Sequence, residues 1–84
     1  MDIIAKHDGT LCFIEVKTRA GNSYGSPFDA ISKRKQRRMM VIAEYFLNAY
    51  SGCEQDVRFD VIGIEYFIDR PYQLEHLVDA FERD

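Results

Sequence analysis

One amphipathic helix stands between two runs of β-formers, and that order leaves few folds open to so short a chain. From Met39 the apolar residues recur at Ile42, Ala43, Phe46, Leu47 and Tyr50. That is the spacing of a helix burying one face. Ser32 is the expected N-cap, and Ser51-Gly52 the expected stop. Ahead of the helix, Leu11–Thr18 alternates as a strand. Leu11, Phe13, Glu15 and Lys17 fall on one face, and Cys12, Ile14, Val16 and Thr18 on the other. Ile3–Ala5 forms an earlier strand, joined to it through a tight turn at Asp8-Gly9. Ala20–Pro27 reads as a loop. After the helix, Val57–Phe67 alternates as a third strand and Asp69-Arg70-Pro71 turns the chain. Tyr72–Leu77 gives a short fourth strand and Val78–Phe81 a last helical turn. The expectation is one α/β domain over residues 1–84, strand–strand–helix–strand–strand. The first two strands form a hairpin, and the helix crosses over to a parallel third strand. One sheet face is left to short segments or to another chain.

At 84 residues the chain suits a single domain. Its 46% hydrophobic content is enough for a packed core. The longest apolar run, Met39–Ala43, is five residues, so no membrane helix is expected. No secretory leader is visible, and Cys12 and Cys53 are too few for a disulfide framework. Two buried or half-buried thiols in a reducing cytoplasm are expected. The net charge of −3 is unevenly spread. Residues 1–42 carry eight Lys/Arg and four Asp/Glu, residues 43–84 three and ten. A basic face can therefore act on an acidic protein.

Three charged residues are awkward for a purely structural account. Asp2 heads the first strand, and Glu15 and Lys17 lie inside the second. Their side chains share a face, about 6.5–7 Å apart at the base. Pairing Asp2 across the hairpin from Glu15 brings two carboxylates together, which repel unless a cation lies between them. With the Val16 carbonyl they form an oxygen set suited to Mg2+ and to metal-assisted phosphodiester cleavage. Lys17 can then orient the nucleophile or stabilise developing charge. The plainer reading is a surface ion pair between Glu15 and Lys17.

Lys33, Arg34, Lys35, Arg37 and Arg38 place five cations within six residues, in the first turns of the helix. Cations are disfavoured there by the helix dipole and by mutual i, i+4 repulsion. Phosphates would compensate both. The plainer alternative is a solvated face balanced by the acidic half of the chain. Tyr24, Tyr50 and Tyr72 are candidates for base stacking or for packing at a core margin. His7 and His76 have no zinc-spaced partner. Asp60 is either a supporting carboxylate of the site or a partner for Arg58 or a helix arginine.

Asp2 followed by Glu15-Val16-Lys17 resembles the Asp…Glu-x-Lys motif of restriction-endonuclease-like nucleases. Asp2–Ala5, Phe13–Arg19, Gly25-Ser26-Pro27, Lys35–Arg38 and Arg58–Val61 are similar, in order, to the YraN family of bacterial proteins. Leu74-Glu75-His76-Leu77 and Ala80-Phe81 extend the likeness over nearly the whole chain. That family is predicted to be nuclease-like and akin in fold to archaeal Holliday-junction resolvases. The resemblance implies a restriction-endonuclease-like α/β fold with a small mixed sheet and one main helix. It makes Asp2, Glu15 and the Val16 carbonyl the metal ligands, and Asp2, Glu15 and Lys17 the catalytic set. Mg2+ or Mn2+ is the implied cofactor. Arg19, Lys33, Arg34, Lys35, Gln36, Arg37 and Arg38 are the implied contacts to nucleic acid. The implied activity is cleavage of DNA, branched or otherwise structured, by a homodimer in the cytoplasm, with no membrane and no small-molecule cofactor. Family members usually carry a further N-terminal helix and strand ending in Gly-Glu-Ile, which this sequence lacks. The expectation is a shortened chain of weak or no turnover. The alternative is a non-catalytic module that binds nucleic acid or protein.

Overall fold

The computed structural model describes residues 2–21, 31–51 and 56–82. Most of the expected Ala20–Pro27 loop, with Tyr24 and Gly25-Ser26-Pro27, lies outside them, as do Gly52 and Cys53. Four strands and one α-helix follow in order: β1 (Ile3–His7), β2 (Thr10–Ala20), α1 (Lys33–Phe46), β3 (Val57–Tyr66) and β4 (Gln73–Phe81). The strands make one sheet in the order β1-β2-β3-β4. β1 and β2 are antiparallel, β2 and β3 parallel, and β3 and β4 antiparallel. This is the expected mixed sheet with one helix.

The hairpin turns on Asp8 and Gly9, both with positive φ (49° and 82°). A two-residue loop of that kind matches the strand twist, and the Asp-Gly pair tolerates it. His7 then pairs with Thr10 and Ile3 with Ile14. In α1 the Ser32 hydroxyl accepts the Lys35 N–H at 3.1 Å and caps the first turn. The helical path continues past Phe46 as a π-helical turn, Leu47–Ser51.

Helix and sheet meet through Met39, Ala43 and Leu47 against Leu11, Phe13, Phe59, Val61 and Phe81. Phe13 meets Phe46 edge-on at 5.9 Å, and Phe59 stacks on Phe81 at 5.0 Å. The opposite sheet face has no helix among the described residues. Cys12, Ile14 and Asp60 are nevertheless buried there, beside exposed Ile3, Leu74 and Val78.

One expected element is corrected. Val78–Phe81 is not a helical turn but the end of β4. Leu77 pairs with Val61 and Phe81 with Phe59, so the register shifts and β4 carries a bulge between them. Asp79 sits in that bulge with φ 55° and donates its N–H to the Asp60 carboxylate at 3.0 Å. The aromatic stack and this hydrogen bond outweigh the local helical spacing. Aspartate tolerates the left-handed region better than branched residues do. Asp79→Val should therefore cost about 1–2 kcal/mol, and Asp79→Gly much less. Urea melts of the two variants check this, and equal melts would exclude backbone conformation as the reason for the residue.

Candidate active site

Glu15 lies in β2, between β1 and β3, and only 3% of its surface is exposed. It faces the helix, as alternation from Phe13 requires. Lys35, in the first turn of α1, reaches down to it, with Nζ 3.2 Å from Oε2. Asp2 extends the hairpin ladder by donating its N–H to the Ile14 carbonyl at 3.1 Å. Its carboxylate accepts the Val16 N–H at 2.8 Å, which fixes it beside Glu15. The Val16 N–H holds the Asp2 carboxyl below its ordinary range, against slight desolvation. A side-chain contact with Glu15 and the charge of Lys35 act in the same direction. The N–H and C=O of a strand residue leave the backbone on one side, so the Val16 carbonyl also faces the Asp2 edge.

Lys17 is half-buried, two residues beyond Glu15 on the same face. Its register partner in β3 is Gly63, which places no side chain over the sheet beside it. Asp2, Glu15, Lys17 and Lys35 thus lie on the helix side of β2. Among the described residues no three His, Cys, Asp or Glu side chains gather as a ready metal cage. Two carboxylates and a backbone carbonyl still fit Mg2+, which binds through one or two carboxylates and keeps its remaining positions for water and phosphate.

The other expected site residues divide. Lys33, Arg34, Arg37 and Arg38 are exposed on α1. Arg34, Arg37 and Arg38 border a groove of about 390 Å3 with Val41 and Ile42. Lys35 turns inward to Glu15. Gln36 is buried and donates its side-chain N–H to the Ile31 carbonyl at 3.2 Å, tying the helix start to the chain before it. Arg19 pairs with Glu65, its register partner in β3, at 2.8 Å. The inward turn of Lys35 was available from the sequence. Stepping back four residues from Met39 continues the buried stripe to Lys35.

A second polar cluster occupies the opposite sheet face. Asp60 is fully buried and accepts Arg58 Nε and Nη2, both at 2.9 Å. Its Oδ2 also lies 2.8 Å from His76 Nε2, and its Oδ1 accepts the Asp79 N–H. Burial would raise the Asp60 pKa, but Arg58, the Asp79 N–H and His76 together hold it below 3.8. Of the two partners considered for Asp60, Arg58 is the one it meets. Arg58 and Asp60 stand two residues apart in a strand, a spacing that puts them on one face. Nothing in the sequence marked His76 or Asp79 as their companions.

Known proteins resemble this chain over almost its whole length. The model of the uncharacterised protein family UPF0102 matches residues 1–64. A UPF0102 protein of Chlorobium phaeobacteroides (strain BS1) is 45% identical over 96% of the chain and 68% of its own length. One of Clostridium perfringens (strain 13 / Type A) is 44% identical over 96% and 67%. One of Rhodococcus opacus (strain B4) is 42% identical over 96% and 69%. The chain spans about two thirds of the length of these curated relatives. Asp2, Glu15, Lys17 and Lys35 all fall within the stretch that the family model covers. On the extent and level of these matches, the chain belongs to the UPF0102 family.

Proposed function

We propose that this chain carries the chemistry of a metal-dependent endonuclease with a restriction-endonuclease-like core, acting on branched or otherwise structured DNA. The observation that carries the reading is the approach of Asp2 and Glu15 on one side of β2, with Lys17 two residues on. Asp2, Glu15 and the Val16 carbonyl would hold Mg2+ or Mn2+. Bound there, the cation supplies charge neutralisation at the phosphate and a more acidic water. Lys17 orients the attacking water and offsets negative charge growing on the phosphate oxygens. Lys33, Arg34, Arg37 and Arg38 hold the backbone on the exposed face of α1, without base reading. Among the described residues β1 is the outer strand of the sheet, which supports action as a homodimer.

A non-catalytic nucleic-acid-binding module is the competing reading. The Lys35–Glu15 ion pair favours it, because it neutralises the carboxylate without a metal. The two readings part on branched DNA with Mg2+ or Mn2+. The nuclease reading expects at least slow cleavage by the wild type, and a loss of about 10²-fold or more in Lys17→Ala with DNA affinity kept. A wild type that binds such DNA and never cuts it would leave the binding module standing.

A further inference from the structure

We propose that Phe67 and Arg70 form a second phosphate-binding station for nucleic acid, at the carboxyl ends of the parallel strands β2 and β3. The proposal rests on the nuclease or nucleic-acid-binding reading of the Glu15 face. Open α/β sheets commonly bind ligands beyond the carboxyl ends of their parallel strands. Here a cavity of about 510 Å3 lies at that end, lined by Gly21, Phe67, Asp69 and Arg70 among others.

Gly21 continues the sheet by donating its N–H to the Tyr66 carbonyl at 2.9 Å. A Cβ on Gly21 would lie 1.9 Å from the Phe67 ring, so the ring rests directly on the glycine backbone. The Arg70 guanidinium lies over the same ring, with its central carbon 4.0 Å from the centroid. Gly21 and Arg70 therefore both contact the Phe67 ring. An arginine laid on an aromatic ring is held in orientation while its N–H donors stay available to a phosphate.

Position gives this arrangement its meaning. Residues 15, 17 and 19 alternate onto one face of β2, and that alternation continued one step past its end puts Gly21, and the station, on the side of Glu15 and Lys17. Gly21 is about 20 Å from Glu15 along the strand. That is about six base steps at the 3.4 Å rise of duplex DNA. Between them the Arg19–Glu65 pair is internally neutralised. A strand anchored at both ends would lie along β2, with its reacting phosphate at Lys17. Asp69 lines the same cavity and opposes bulk attraction, so the contact depends on the fixed guanidinium of Arg70.

Fluorescence anisotropy with labelled mixed-sequence duplex DNA, across a salt series without metal, tests the proposal. Arg70→Ala should weaken binding about threefold or more and lower the salt slope by about 1. Phe67→Leu keeps the apolar volume and should reproduce that loss although Arg70 is still present. Arg70→Lys should restore it only in part, and Asp69→Asn should tighten binding. Unchanged affinity and slope in Arg70→Ala, while an Arg34→Ala/Arg38→Ala chain binds less well, would overturn the station and leave the basic helix face standing. Loss in Arg70→Ala with none in Phe67→Leu would overturn the stacked geometry. A wild type that binds no DNA would remove the underlying reading, and the station with it.

Discussion

Asp60→Ala should be among the most destabilising single substitutions at the described residues, at about 3–5 kcal/mol. That is a large part of the 5–15 kcal/mol or so typical of a small domain. The loss does not come from a missing favourable pair alone. Removal of the carboxylate leaves the Arg58 guanidinium, only 20% exposed, without its bidentate partner. It also leaves the Asp79 N–H unpaired in the β4 bulge. Each orphaned group carries its desolvation cost. Asp60→Asn keeps the shape and should lose less. The pH dependence has a definite sign. The folded Asp60 carboxyl titrates below its ordinary 3.8, so its contribution is complete above that value. It is lost as pH falls through the depressed folded value. Urea melts between about pH 2.5 and 7 should show an acid limb that is shallower in Asp60→Asn. An Asp60→Ala chain that melts like the wild type would show that the cluster contributes nothing to stability.

Glu15→Ala should abolish binding of Mg2+ or Mn2+, because only Asp2 and a carbonyl would remain of the donor set. Lys35→Met should act oppositely on the metal. The Lys35 ammonium lies 3.2 Å from Glu15 Oε2, where it competes with any cation for that oxygen. At an effective dielectric near 20, two charges 4 Å apart interact by about 4 kcal/mol, and partial exposure of Lys35 reduces this. A remaining 1.4 kcal/mol or so is a tenfold gain in metal affinity. Without metal, Lys35→Met removes the cation beside a buried carboxylate and should melt earlier than the wild type. Added Mg2+ or Mn2+ should recover much of that loss. Calorimetric titration and melts with and without metal read both effects. Metal affinity unchanged in Lys35→Met, together with a melt that ignores metal, would separate Lys35 from any cation site and weaken the nuclease reading.

Most of the architecture was legible because it is written in short-range patterns. Asp8-Gly9 can supply two successive positive φ values, so the hairpin and its register follow from a dipeptide. The Met39–Leu47 stripe and the Ser32 cap fix a helix, and a helix between two strands calls for a crossover to a parallel pair. The pairing of Asp2 with the Glu15–Val16 segment follows from the same hairpin register. The end of β4 was not legible. Val78, Ala80 and Phe81 suit a helical turn locally, and pairing with β3, the Phe59 ring and the Asp60 carboxylate, about twenty residues earlier, hold them as a bulged strand.

The amino-acid order by itself determined the strand–strand–helix–strand–strand succession, the hairpin, and the strand face that Glu15 and Lys17 share. Those depend on backbone conformation and on the two-residue period of a strand, which neighbouring residues set. Tertiary structure alone decided which charges are neutralised at home. It made Glu15 the partner of the inward-facing Lys35 and left four of the five clustered cations outside. It brought His76 and Asp79 to the Asp60–Arg58 pair and laid Arg70 on Phe67. A charge's partner is set by helix phase, strand register and bulges acting together, so neighbouring residues do not specify it.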